Sequence, residues 1–339
     1  MFVDDFVDAS IDGAYVHLES LCLRGLGSTA PNPNVSAAIF GADGRLIADG
    51  FHNRKSSPDH AEVVAIKKAG HLTKGATIVV SLEPCAHTGT TPPCTQAIID
   101  AGIARVIYAV KDPNPVAAGG EAVLRAAGVD VEYRESSRLA FLQRAWLHTI
   151  KRARPLMIWK IATTLDGKVA ALDGTSQWIT NHHSREDVQL LRAQSDAIVI
   201  GTNTAIQDNP HLIPRGYENR PVRVVCGEQE IPSTNHIFDS ESRTVLVRSK
   251  SIPELLKTLV DQKFNQVLVE AGPTLGTALL NAGLIDELII YQAPKLLGAG
   301  KQFINDLGIT TLAAHRSLEL LSVEHIDGDI KSHYSVKEI

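Results

Sequence analysis

Short apolar runs alternate with stretches of helical spacing along the whole chain, in two successive cycles. In the first, Ser36–Phe40 and Arg45–Phe51 flank Gly41-Ala42-Asp43-Gly44, which predicts a β-hairpin. Ala61–Ala69 has helical spacing and stops at Gly70. Thr77–Leu82 and Arg105–Val110 are β-rich. Between them Thr95–Ala101 is expected to be helical, with Pro92-Pro93 before it and Gly102 after it. In the second cycle the strand-like runs are Met157–Ala162, Ala197–Ile200, Val222–Cys226, Thr244–Val247, Val267–Val269 and Leu288–Tyr291. Helical patterns lie at Ser184–Ala193, Pro253–Val260 and Leu275–Ala282, with Ser184 and Asp187 as a weak helix-start pair. Such alternation predicts an α/β protein, each sheet covered by helices. Between the cycles, Ser136–Arg154 carries five basic residues and no acid. It is expected to be one solvated connecting helix with Arg138, Arg144, Lys151, Arg152 and Arg154 outward, rather than a nucleic-acid arm. The domain boundary falls there, giving domains 1–150 and 151–339.

Length supports the division, because 339 residues exceed one ordinary core. No apolar run is long enough to cross a bilayer. The acidic MFVDDFVDAS start lacks the features of a secretory signal. A net charge of -5 disfavours a life on duplex nucleic acid. Four cysteines in so long a chain are no disulfide scaffold, so reduced thiols and a cytoplasmic setting are expected. Cys22 and Cys226 read as buried small residues. The other two need a chemical explanation.

His60-Ala61-Glu62 opens a predicted helix, Pro84-Cys85 ends a strand, and Pro93-Cys94 starts a second helix. One imidazole and two thiolates supply three corners of a tetrahedral Zn2+ site, leaving the fourth for water. Zinc lowers the pKa of that water from 15.7 toward about 7. Glu62, one residue beyond His60, is placed to carry a proton from the water to a leaving amine. Taken singly, His60 would be a helix cap and the cysteines inert core. Together, in this order, they point to a hydrolytic zinc deaminase. The general deaminase signature has two residues between its cysteines. Here eight intervene, Ala86 to Pro93, and the longer loop argues for a substrate other than simple cytidine.

The stretch Leu82-Glu83-Pro84-Cys85-Ala86-His87-Thr88-Gly89-Thr90-Thr91-Pro92-Pro93-Cys94 resembles the bifunctional riboflavin biosynthesis (RibD) family. Pro31-Asn32-Pro33, Asp112-Pro113-Asn114-Pro115, Leu165-Asp166-Gly167, Gly174–Thr180, Val269–Leu275 and Ala293–Gly298 match it in order, over about residues 10–300. The resemblance implies a cytidine-deaminase-like three-layer domain followed by a dihydrofolate-reductase-like domain. It implies zinc-dependent deamination of 2,5-diamino-6-(5-phosphoribosylamino)pyrimidin-4(3H)-one. NADPH reduction of the ribosyl group of 5-amino-6-(5-phosphoribosylamino)uracil would follow. No Gly-x-Gly-x-x-Gly follows a strand, which argues against a Rossmann site.

By family position, His60, Cys85 and Cys94 are zinc ligands and Glu62 the proton carrier, while Asn32, His52 and His87 hold the deaminase substrate. Ala162, Trp178, Thr204, Asp208 and the run Gly272, Pro273, Thr274, Leu275, Gly276, Thr277, Ala278 would contact NADPH. Lys160, Asp166, Ser176, Arg192, Leu212, Arg215 and Glu270 would hold the reductase substrate, the arginines gripping phosphate through two bonds. The chain departs from the pattern at Ser36, at one extra residue between His52 and His60, at Cys226-Gly227-Glu228, and at Val116–Gly120. The implied partners are small phosphorylated pyrimidines, with no nucleic acid, no membrane, and homo-oligomers as the usual state. The rival readings are an RNA-base zinc deaminase, a scaffold with structural zinc, and a paralogue whose reductase half is silent.

Overall fold

The computed structural model describes residues 11–89 and 91–337. The MFVDDFVDAS start and Thr90 of the cysteine loop lie outside them. The chain forms two compact units that part between Arg152 and Ala153.

The first unit runs α1 (Ile11–Gly25), β1 (Ser36–Phe40), β2 (Leu46–Phe51), α2 (Ala61–Ala69), β3 (Thr77–Val80), α3 (Cys94–Asp100), β4 (Arg105–Tyr108), α4 (Gly120–Ala126), β5 (Asp130–Tyr133), α5 (Ser137–Leu142) and α6 (Arg144–Arg152). Its sheet has the order β2-β1-β3-β4-β5. β1 runs antiparallel to β2 and β3, and β3, β4 and β5 are parallel. α1 packs with α5, and α2 with α3. Ile39, Ile78, Val80, Val106 and Ile98 are fully buried in this core, each contributing roughly 1.5–3 kcal/mol of transfer free energy. Gly50 of β2 lets α2 approach, since a Cβ there would lie 2.5 Å from the Ala61 carbonyl oxygen. That contact sets the start of α2, and with it His60.

The expected connecting helix is two helices. Gln143 breaks it, because its side chain is buried and donates to the Ser81 carbonyl at 2.9 Å. Arg154 is also not outward. Its guanidinium grips Asp286 through two bonds of 2.8 and 2.7 Å, within the second unit.

The second unit contains β6 (Leu156–Thr164), β7 (Lys168–Ala170), α7 (His182–Ala193), β8 (Ala197–Gly201), α8 (Thr202–Asp208), β9 (Val222–Cys226), β10 (Thr244–Val247), α9 (Ile252–Asp261), β11 (Gln266–Val269), α10 (Pro273–Asn281), β12 (Glu287–Ala293), β13 (Lys301–Gln302), β14 (Leu318–Ile326) and β15 (Asp329–Val336). The main sheet has the order β10-β9-β8-β11-β6-β12-β15-β14. The six strands from β10 to β12 are parallel, and β15 runs antiparallel to both β12 and β14. β11 is buried along its whole length, as a central parallel strand with both faces covered should be. α7 starts two residues before the expected Ser184. Asn181 is its N-cap, accepting from the Ser184 N–H at 2.8 Å, while Ser184 Oγ donates to Asp329 at 2.7 Å. The β14–β15 hairpin went unpredicted. Its signal was Asp327-Gly328, two residues with positive φ, as a type I′ turn requires.

Candidate active sites

In the first unit, His60 is the N-cap of α2, Cys85 lies just beyond β3, and Cys94 opens α3. Three element ends thus deliver three donors. His60 Nδ1 is 3.2 Å from Cys94 Sγ and 3.7 Å from Cys85 Sγ. The three ligand atoms lie within 4.8 Å of one another. The Cys94 backbone N–H donates to Cys85 Sγ at 3.4 Å, and both sit where a helix N-terminus favours a thiolate. The hydrogen bond from Cys94 draws the Cys85 thiol down to about 4, whereas that same bond and burial push Cys94 well up. Glu62 is buried and its Oε2 has no partner among the described residues. Burial raises its pKa. A soft N/S donor set beside an orphaned buried carboxylate oxygen fits a tetrahedral Zn2+ with one open corner.

Glu62, His60 and Cys85 line a cavity of about 240 Å³. Asn32, His87 and Asp112 line it too. Asn32 reaches the cavity as expected. His52 stands behind it, buried, accepting from Asn32 Nδ2 at 3.1 Å while its Nδ1 donates to the Asp59 carbonyl at 2.8 Å. Burial lowers the His52 pKa, so the ring stays neutral and fixes the Asn32 amide. His87 Nδ1 is buried with no partner among the described residues. The sequence reading missed Asp112 and Asn114 as cavity walls, although it singled out their motif. Burial pushes the Asp112 carboxyl up to about 6. Glu83 steadies this side. Its carboxylate accepts from the Gly119 and Glu121 N–H groups at 3.2 Å each. The altered glycines have a local purpose. Gly119 takes φ 95, and a Cβ on Gly120 would collide with the Pro84 carbonyl next to Cys85.

In the second unit the expected residues cluster by topology at the carboxyl ends of neighbouring strands. Ala162 lies near the end of β6, Glu270 and Gly272 follow β11, and Thr204 and Asp208 lie on α8 after β8. Such ends are where parallel α/β sheets take ligands. Arg192 donates to Glu270 from Nε at 2.6 Å and from Nη2 at 2.9 Å. The fork expected to grip phosphate is therefore engaged, and Nη1 remains. Lys160 faces the same pair. Burial lowers its pKa against the pull of Glu270. Thr274 and Leu275 in the first turn of α10 keep backbone N–H groups without helical partners. A Cβ on Gly272 would meet nothing within 4 Å, so this turn is open. It fits an anionic group such as a cofactor phosphate. Gly276 and Thr277 face inward instead. The Gly276 position abuts the Trp159 ring, and Thr277 Oγ1 accepts from the Asn305 N–H at 2.9 Å.

Trp178 is 63% exposed rather than in the core, with the Arg185 guanidinium 4.6 Å over its ring. Ser176 and Arg215 are exposed, whereas the Leu212 side chain is buried. Asp166 is engaged within the chain. It accepts from Thr164 Oγ1 at 2.6 Å, from the Leu297 N–H at 3.2 Å and from the Gly298 N–H at 2.7 Å. These bonds lower its pKa to about 2, the Thr164 hydroxyl foremost. Gly227, a departure from the family pattern, has φ +140 and packs where a Cβ would strike Thr202 Oγ1.

Comparison with known proteins follows the same two units. Residues 14–110 match the cytidine and deoxycytidylate deaminase zinc-binding region, and residues 155–332 match the RibD C-terminal domain. The riboflavin biosynthesis protein RibD of Mycobacterium tuberculosis H37Rv is 40% identical over 311 residues, covering 90% of this chain and 91% of the relative. That of Escherichia coli K12 is 38% identical over 353 residues, covering 92% and 96%. Acinetobacter baumannii RibD superposes with a TM-score of 0.85 at 36% identity, over 95% of this chain and 98% of that one. A Thermotoga maritima protein described as a diaminohydroxyphosphoribosylaminopyrimidine deaminase/5-amino-6-(5-phosphoribosylamino)uracil reductase gives 0.86 at 31% identity, over 95% and 97%. With both halves matched in order and along nearly the full length, the chain belongs to the RibD family of bifunctional deaminase–reductases of riboflavin biosynthesis.

Proposed function

We propose that the first unit removes the 2-amino group of 2,5-diamino-6-(5-phosphoribosylamino)pyrimidin-4(3H)-one and that the second reduces the ribosyl group of the resulting uracil with NADPH. The observation that carries the reading is the convergence of His60, Cys85 and Cys94 at a cavity lined by Glu62, whose Oε2 has no partner among the described residues. His60, Cys85 and Cys94 would hold Zn2+, which when bound lowers the pKa of water in its open corner. Glu62 accepts the proton of the attacking water at Oε2 and returns it to the departing amine. Its raised affinity for protons, a consequence of burial, suits both halves of that transfer. Asn32, held by His52, and His87, whose Nδ1 has no partner among the described residues, orient the pyrimidine.

In the second unit the Thr274 and Leu275 N–H groups, opened by Gly272, would take a phosphate of NADPH, and Ala162, Trp178, Thr204 and Asp208 would contact the rest of the cofactor. The cofactor supplies the reducing equivalent when bound. Lys160, Arg192 and Glu270 form the charged group that faces substrate, together with Ser176, Arg215 and the backbone at Leu212. Among the described residues no helix is long and apolar enough to cross a membrane. A homo-oligomeric cytoplasmic enzyme is the setting we infer.

The test supplies the diaminopyrimidine phosphate and NADPH, and follows ammonia and nicotinamide oxidation together. Glu62→Gln should lower ammonia release by about 10²–10⁴-fold. Bound zinc, and NADPH oxidation on the already deaminated substrate, should persist. Ammonia release within tenfold of the parent enzyme would remove Glu62 from the mechanism.

A further inference from the structure

The reductase half carries a tryptophan on a weakly anchored segment. Trp178 is 63% exposed, while Trp146 and Trp159 are 6% and 1% exposed. Residues 171–178 have no strand or helix of their own. Their internal bonds, such as Ala171 N–H to Thr175 O at 2.9 Å and Thr175 to Asp173, only close a local turn. Two cations tie Trp178 to the rest of the unit. Arg185 lies over its ring and also donates to the Thr180 carbonyl at 2.7 Å. Lys295 Nζ donates to the Trp178 carbonyl at 3.0 Å and to the Ile179 carbonyl at 2.6 Å.

Lys295 itself needs support. Leu296 and Leu297 beside it are 72% and 42% exposed, so burial does not hold this segment. Hydrogen bonds do. The Leu165 N–H donates to the Lys295 carbonyl at 2.9 Å, and Asp166 takes the Leu297 and Gly298 N–H groups. The line therefore runs from the turn after β6, through Asp166, to the 295–298 segment, and through Lys295 to the Trp178 backbone. Where contacts lack burial, a charge-assisted bond to a carbonyl decides which conformation is populated.

We propose that Lys295, held in place by Asp166, is a positioning residue of the reductase that presents Trp178 to the nicotinamide cofactor. The proposal rests on the reductase reading above for the cofactor, but not for the brace itself. A brace absent from the reacting atoms should act on cofactor binding more than on chemistry. It should also change Trp178 whether or not turnover occurs.

The experiment uses the full chain with Lys295→Met, Lys295→Arg, Asp166→Asn and the double variant Asp166→Asn/Lys295→Met. Iodide reaches Trp178 but not the two buried tryptophans, so quenching reports Trp178, and the iodide-quenchable part of the time-resolved anisotropy reports its motion. Lys295→Met and Asp166→Asn should enlarge the fast anisotropy component and the quenching constant. KM for NADPH should rise about fivefold, with kcat falling less. Lys295→Arg should restore both, and ammonia release from the first unit should not change. The double variant should be no worse than the more damaged single one, since both cut the same line. Unchanged Trp178 mobility in Lys295→Met and Asp166→Asn would overturn the brace. Altered mobility with unchanged KM for NADPH, in a chain that oxidises NADPH, would overturn its role in presenting Trp178 to cofactor. If the parent chain oxidises no NADPH, the reductase reading fails and the fluorescence still decides the brace.

Discussion

Gly276→Ala is the sharpest perturbation available in the second unit. A Cβ at this position would place three atoms of the Trp159 indole within 2.7 Å. The nearest lies at 2.1 Å, and ordinary carbon–carbon contact needs about 3.5–4.0 Å, so helix and ring must part by more than about 1 Å. The ring has little room to retreat. Trp159 is 1% exposed, its Nε1 donates to the Ala271 carbonyl at 3.1 Å, and β6 pairs with β11 and β12 on its two sides. Helix α10 must therefore tilt away, at an overpacking cost of about 1–3 kcal/mol. For a unit of this size that corresponds to a fall in Tm of roughly 2–12 °C, at about 2–4 °C per kcal/mol. The tilt also moves the Thr274 and Leu275 N–H groups, and a shift near 1 Å at a binding turn raises KM for NADPH about tenfold or more. Calorimetry of the full chain reads the first quantity, and initial rates of nicotinamide oxidation read the second. Ammonia release is the internal control for the first unit. Gly272→Ala is the contrast. Its φ is -66 and its Cβ meets nothing, so Tm should hold while NADPH binding weakens. A Gly276→Ala chain with Tm within about 1 °C of the parent and unchanged KM would refute the packing reasoning.

Gly120→Ala should damage the deaminase alone, because its Cβ would drive the Pro84 carbonyl, and with it Cys85, out of place. Zinc per chain by elemental analysis and ammonia release should fall together, while NADPH oxidation on deaminated substrate persists. Arg192→Ala should destabilise the second unit by about 2–4 kcal/mol, since it leaves the Glu270 carboxylate enclosed without its guanidinium. The parent pair also sets a pH dependence. Burial alone would raise the Glu270 pKa, but the Arg192 charge outweighs it and the net direction is down. Its stabilisation is thus complete above the ordinary glutamate range and is lost as pH falls through the lower folded value. In Arg192→Ala the direction reverses, so its deficit in urea should shrink as the medium is acidified toward protonated Glu270.

The difference between what the chain order disclosed and what it hid has a physical cause. His60, Cys85 and Cys94 were legible because each sits at the end of an element that the local pattern marks: a helix start, a strand end after Pro84, a helix start after Pro93. Composition and spacing fix such ends locally. The pairing of Arg192 with Glu270 spans 78 positions, and that of Asn32 with His52 spans 20. No local rule separates a side chain that meets a ligand from one that meets its neighbour in the fold. The same limit split the basic helix at Gln143, whose only local trait is to be polar, and whose partner is the carbonyl of Ser81. Asp166 states the case most clearly. In the Leu165-Asp166-Gly167 turn its carboxylate could serve a substrate or the chain, and the choice rests on whether backbone donors arrive. Those of Leu297 and Gly298 come from 131 and 132 residues away. Motif residues whose charge is already matched by distant backbone are thus the ones to reassign from contact to placement. Glu62, whose buried Oε2 has no partner among the described residues, is the one to keep in the chemistry.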